Sequence, residues 1–194
     1  MTEDVSRQTA RENSPMRLGI QKNSRIALPS LHEIESVRRT LDTTVNGSSL
    51  SEASIEDWER TVLQYGRATR YEAPDALIAE LTADLCELSD ALSRCRSASS
   101  VRRLTIVVAQ MAGLMCLTLV KLDERVAFRR WARTARIAAE EAGDPQTFSW
   151  VRAREAYGYY YSGDFAVSID IARHAQYAAK GIPCVGAALA AALE

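Results

Sequence analysis

The sequence predicts an all-α protein whose helices form antiparallel pairs. Apolar residues recur at steps of three and four, residues that start and stop helices lie at regular intervals, and no segment reads convincingly as a strand. Of the 194 residues, 47% are hydrophobic and 25% are charged, which is the ordinary balance of a globular protein. We expect a flexible polar segment over residues 1–30 and one helical domain over residues 31–194.

Serine residues mark the first two helices. Ser30 and the glutamate three residues later form a capping box, which predicts a helix over residues 31–45. Ser54, with an aspartate at the third helical position, predicts the N-cap of a second helix that ends near Arg70. The Asn-Gly-Ser-Ser run at residues 46–49 separates the two helices.

A proline and an apolar run define the third and fourth helices. Pro74 suits the first turn of the third helix, because proline lacks an N–H that would have no partner there. The serine-rich run at residues 97–100 is predicted to end that helix. The fourth helix, over residues 101–121, is apolar almost all round, so we expect it to be the most buried.

Turn residues define the remaining four helices. Gly143 predicts a left-handed cap, and Asp144 and Asp164 predict N-caps. The last helix has an Ala-Leu pattern that calls for a packing partner, so we expect the chain to end inside a repeat. The four helices are predicted over residues 124–142, 146–161, 165–180 and 186–194.

The helix pairs recur at a regular interval. Short connections make consecutive helices antiparallel neighbours, and the pairs begin roughly 37 to 46 residues apart, as in helical-hairpin repeats. The third pair is similar to a tetratricopeptide unit, with Ala156 at the small-residue position, Tyr159 at the tyrosine position and Gly163-Asp164-Phe165 at the turn. It departs from the consensus in its longer period and in lacking the closing proline. We therefore expect a tetratricopeptide-like right-handed superhelix.

Several short motifs carry a family resemblance when they are taken in order. They include Asp57-Trp58-Glu59, Tyr65-Gly66-Arg67, Met111-Ala112-Gly113-Leu114, Arg130-Trp131-Ala132-Arg133-Thr134-Ala135, Ala142-Gly143-Asp144-Pro145 and Gly186-Ala187-Ala188-Leu189-Ala190. From residue 31 to the end, the series resembles the C-terminal regions of actinobacterial Cro/C1-type helix-turn-helix transcriptional regulators. The resemblance implies a sensor half without its DNA-binding domain, because the polar residues ahead of it are too few for several helices. It carries over no catalytic or binding residue.

Composition and motifs argue against several functions. With 24 basic and 25 acidic residues the net charge is −1, so no direct DNA binding is expected. Two histidines and four scattered cysteines provide no ordinary metal site, and we predict neither a metal nor a cofactor. No P-loop, nucleophile elbow or His-Glu-x-x-His motif is present, so an all-α enzyme is the least favoured function. Without a signal peptide or an apolar run of about 20 residues, we expect a cytoplasmic protein that does not contact a membrane.

A concave groove is the main candidate binding site. Superhelical repeats bind through the face lined by the first helix of each pair, and aromatic side chains on that face would suit a peptide or a flat apolar ligand. Small residues on the fourth helix would leave a pocket beside them. The alternative is that all these residues are core between repeats. The candidates are Trp150, Ala153, Tyr157, Tyr160, Ala112 and Cys116.

Arginines provide two further candidate sites. Arg130, Arg133 and Arg154 could bind an anion or an acidic peptide, since guanidinium groups pair with carboxylates and phosphates. The alternative is that nearby glutamates, including Glu155, neutralise the arginines as surface pairs. A second group could form an interface between subunits, with core packing as its alternative, and it consists of Trp58, Tyr65 and Arg70.

These observations predict a regulatory sensor or interaction domain that is not an enzyme. Its partner would be a peptide, a protein or a small molecule, and binding would shift the packing between repeats and so change a second interface. The main alternative is a purely structural scaffold or a module that forms a homodimer.

Overall fold

The computed structural model of the protein describes residues 30–46 and 51–194, and these residues form helices and no strand, which confirms the all-α class. The predicted polar segment, apart from Ser30, and the glutamate of the predicted capping box lie outside the residues and side chains that it describes. The helices are α1 (Leu31–Asn46), α2 (Glu52–Ala68), α3 (Pro74–Arg94), α4 (Ala98–Lys121), α5 (Arg125–Ala142), α6 (Pro145–Tyr161), α7 (Phe165–Ala178) and α8 (Val185–Ala191).

Two helices begin earlier than predicted, each at another serine. The N-cap of α2 is Ser51 rather than Ser54, because the Ser51 hydroxyl accepts a hydrogen bond from the Ser54 backbone N–H at 3.1 Å. Ser97 caps α4 in the same way. The serine-rich run that was predicted to end the third helix therefore forms the N-cap and first turn of α4. A serine caps a helix when its hydroxyl can reach the N–H two or three residues later, and both runs offer several such serines.

The predicted caps around α5 and α6 are confirmed. Gly143 ends α5 with a φ of 62°, a left-handed conformation that glycine adopts without steric strain. Asp144 then caps α6, since its carboxylate accepts hydrogen bonds from the backbone N–H of Thr147 at 2.8 Å and from its hydroxyl at 2.6 Å. Asp164 precedes α7 as predicted but makes no side-chain capping hydrogen bond.

Contacts between helices show how the pairs are arranged. In the pair α4 and α5, Arg102 near the start of α4 donates to the backbone carbonyl of Ala142 at the end of α5, so the two helices are antiparallel. Helices α2 and α4 run in the same direction, because Arg103 pairs with Glu59 and Lys121 donates to the Thr69 carbonyl.

The first helices of the pairs form a continuous row. Helix α2 packs against α4, α4 against α6, and α6 against α8, while α3, α5 and α7 pack beside this row. The finer prediction of a right-handed superhelix stays a prediction.

Helix α4 lies at the centre of the fold, as its composition predicts. It contacts α2, α3, α5 and α6, and the fully buried Leu104, Val107 and Met111 belong to the largest hydrophobic cluster. By length and composition α4 is the one helix of the described residues that could span a membrane, and 61% of its most apolar window is buried against other helices. The core helix of a soluble protein has the same properties.

Candidate functional site

The predicted groove face is largely occupied by neighbouring helices. Ala112 and Ala153 have no exposed surface, and Cys116 is 2% exposed, so these three residues do not line an open groove. Their small side chains instead allow α4 and α6 to pack closely against neighbouring helices. The groove prediction is wrong for these three residues, and the alternative of core between repeats holds.

The aromatic residues of α6 are divided between core and surface. The half-buried ring of Trp150 packs directly on α4, where a Cβ atom at Gly113 would lie 2.6 Å from ring atom Cζ3. Tyr157 is half-buried, whereas Tyr160 is 46% exposed and contacts the ring of Phe165 at a centroid distance of 5.5 Å. The predicted aromatic stripe therefore does not form one continuous surface.

Arg154 lies next to Trp150 and differs from the other arginines predicted to bind an anion. Its guanidinium carbon lies 5.0 Å from the centroid of the Trp150 ring, and its Nε atom is buried without a hydrogen-bond partner. Arg130 and Arg133 are exposed on α5. The three arginines therefore differ in environment, since Arg154 packs on Trp150 and the other two lie on the surface of α5.

Glu155 pairs with arginines as predicted, but the predicted surface location is wrong, because Glu155 is 3% exposed. Its two carboxylate oxygens accept hydrogen bonds from Arg136 of α5 at 2.5 Å and from Arg152 at 2.7 Å. One buried carboxylate thus joins α5 to α6.

The predicted interface group is mostly core. Trp58 packs against the main hydrophobic cluster, and Tyr65 is buried, with its hydroxyl donating to Asp84 at 2.8 Å. Burial is the main reason that the pKa values of both Tyr65 and Asp84 are raised. Arg70, which follows α2, is exposed. Core packing therefore accounts for Trp58 and Tyr65, and Arg70 is the one member on the surface.

A cleft between α5, α6 and α7 has a volume of about 670 Å³. Aromatic rings of Phe148 and Tyr177 contribute to its walls, and Tyr177 is 87% exposed. No sequence pattern indicates this cleft, because its residues come from three helices and the segments next to them. Among the lining residues are Arg136, Glu140, Phe148, Arg152, Tyr177 and Ala178.

Among the side chains that the structure describes, no three His, Cys, Asp or Glu residues are placed to hold a metal ion. The thiol of Cys116 is buried, and burial raises its pKa, so the nucleophilic thiolate is disfavoured. The exposed His174 lies 3.7 Å from Asp170 across one turn of α7. Comparison with known protein families, curated proteins and solved structures gave no match.

Proposed function

We propose that the protein is a regulatory sensor domain that binds a small, mainly apolar molecule in the cleft between α5, α6 and α7. The observation that carries this proposal is the cleft itself, whose volume of about 670 Å³ lies within the usual range of small-molecule sites. The resemblance of the sequence to the C-terminal regions of Cro/C1-type regulators supports a role in transcription regulation. On this proposal the domain acts in the cytoplasm and is not an enzyme.

The lining of the cleft favours a flat ligand. Phe148 and Tyr177 offer ring surfaces on which a planar molecule could stack, and Ala139 and Ala178 add small apolar contacts. Glu155 accepts hydrogen bonds from both Arg136 and Arg152 behind the cleft, so their charges are partly compensated. A mainly apolar ligand would therefore not have to displace an existing ion pair.

The position of the cleft suggests how binding could be transmitted. Helix α5 belongs to one antiparallel pair and α7 to the next, while α6 contacts both of them and α4. A ligand between α5 and α7 would bind best at one spacing of the two pairs and would stabilise that spacing. In a tetratricopeptide-like superhelix, a changed spacing would alter the surface offered to a partner protein.

Filling the cleft provides the test of this proposal. Ala178→Phe should place a ring in the cleft, and the matched control Ala166→Phe changes an exposed residue of α7 that does not line it. We expect thermal-shift screening against small aromatic metabolites to find compounds that raise the Tm of the wild type and of Ala166→Phe, but not of Ala178→Phe. Equal stabilisation of all three proteins, or no stabilising compound, would contradict the proposal.

A homodimerisation module is the second candidate, and the surface of α1 favours it. Ile34, Val37 and Leu41 recur at helical spacing and are about half exposed or more. Two copies of α1 could bury these side chains against each other. We expect light scattering to show a dimeric wild type and a monomeric double variant with Val37→Glu and Leu41→Glu. A monomeric wild type would exclude this candidate.

A further inference from the structure

Arg154 lies in the middle of α6, and no carboxylate of the described residues pairs with it. Its guanidinium group lies over the Trp150 ring at 5.0 Å, and that ring packs against Gly113 of α4. The Nε atom is buried and has no hydrogen-bond partner. Burying a charged donor without a partner is unfavourable, so the position of Arg154 needs an explanation beyond packing.

The surroundings of Arg154 are short of negative charge. It forms no hydrogen bond or ion pair with the part of the chain that the structure describes. Burial lowers the pKa of Arg154, and the positive charge of Arg70 lowers it further, while Tyr157 acts in the opposite direction. By contrast, Arg136 and Arg152 pair with Glu155, and Arg103 of α4 pairs with Glu59 of α2.

We infer that Arg154 and Arg70 form a binding site for the carboxylate group of a ligand. A planar carboxylate matches the fork of N–H donors on a guanidinium group, and an Nε–H donor that is already desolvated gains most from such a partner. Trp150 fixes the guanidinium group in advance, which reduces the entropy lost on binding. Tyr157, one turn further along α6, offers a ring to the rest of the ligand.

This site is separate from the proposed apolar cleft. Arg154, Arg70, Trp150 and Tyr157 do not line that cleft, so either site can exist without the other. An empty cleft would therefore leave the carboxylate site in place, and the two proposals can fail independently.

The first experiment isolates the ligand charge. Sodium phenylacetate and neutral phenylacetamide have nearly the same shape, and each is titrated into the full-length protein at constant ionic strength. We expect phenylacetate to shift the NMR signal of the Arg154 Nε–H group saturably, and phenylacetamide to leave it unchanged. Equal shifts from both compounds, no saturable shift, or tighter binding of inorganic phosphate than of phenylacetate would overturn the inference.

The second experiment separates binding from packing. Arg154→Met keeps an apolar chain on Trp150, and we expect it to weaken phenylacetate binding about tenfold or more, the effect of losing a charged hydrogen bond. Because it removes an unpaired charge, the Tm of the free protein should be unchanged or higher. Arg70→Gln on the exposed surface should also weaken binding, whereas Arg129→Gln on α5 is a matched control and should not.

Two results would overturn the inference. Unchanged phenylacetate affinity in Arg154→Met, together with a lower Tm, would show that Arg154 only packs on Trp150. If Arg154→Met does not fold, Arg70→Gln decides, since binding as tight as in Arg129→Gln would exclude a site formed by both arginines.

Discussion

At the scale of single residues, two buried charged groups of α6 differ in whether they have a partner of opposite charge. Glu155 is almost completely buried but satisfies both its oxygens with Arg136 and Arg152. Arg154, one residue earlier on α6, has no such partner. A buried charge is tolerated when it is paired and hydrogen-bonded, so Glu155 is explained by structure alone, whereas Arg154 is better explained by a ligand.

The role of Glu155 leads to a stability prediction. Replacing Glu155 by Gln removes the negative charge and leaves Arg136 and Arg152 facing each other without compensation. We expect the free energy of unfolding to fall by about 3 to 5 kcal/mol, as when one partner of a buried ion pair is removed. Urea denaturation followed by circular dichroism measures this change.

Glu141→Gln is the matched control for that measurement. Glu141 is exposed on α5 and forms no ion pair within the described residues, so its replacement should change the free energy of unfolding by less than about 0.5 kcal/mol. A loss as small in Glu155→Gln as in Glu141→Gln would mean that the two arginines find enough water to remain solvated.

At the scale of helices, helix ends marked by one distinctive residue were predicted correctly, and helix starts within runs of serines were not. Pro74, Gly143 and Asp144 each had no competitor nearby, and the structure confirms the helix ends that they mark. The starts of α2 and α4 were misplaced because several serines in each run could serve as the cap. A local pattern identifies a cap but does not choose between neighbouring candidates.

The binding surfaces were harder to predict than the helices for a physical reason. Helical periodicity shows which residues share a face, as it did for α6, but a face is a groove only if no other helix covers it. Here neighbouring helices cover Ala112 and Cys116 of α4 and Ala153 of α6. The cleft depends instead on the spacing of three helices, and the sequence of any one helix does not determine that spacing.

Close contact between helices leads to a prediction about glycine. A Cβ atom at Gly158 of α6 would overlap the buried ring of Phe128, whereas one at Gly66 of α2 would meet nothing within 4 Å. We expect Gly158→Ala to lower the free energy of unfolding by about 1 to 3 kcal/mol through overpacking. Gly66→Ala should raise it by about 0.4 to 1 kcal/mol, because alanine restricts the unfolded chain and favours a helix.

Chemical denaturation of the two glycine variants measures both changes. Because the substitution is identical in both, the opposite signs would separate packing from helix propensity. Stabilisation by Gly158→Ala would show that α5 and α6 can move apart at this point, contrary to the close packing of Phe128.

At the scale of the whole molecule, the stability of each helix depends mainly on the helices that it contacts. Helices α2 and α3 share a hydrophobic cluster with α4, while α7 and α8 share a separate cluster with α6. In such an arrangement stability is close to a sum of local terms, so one end can open while the other stays folded.

The junction of α8 with α6 tests this locality. A Cβ atom at Gly186 would overlap the backbone of α6 at Ser149 and Trp150, which is less able to move than a side chain. We expect Gly186→Ala to accelerate amide hydrogen exchange in α7 and α8 and to leave exchange in α2 and α3 unchanged. Ala188→Ser, at an exposed position of α8, is the control and should leave both regions as in the wild type. Faster exchange throughout the chain in Gly186→Ala would instead show one cooperative unit, in which a ligand at one helix pair would be felt at every other.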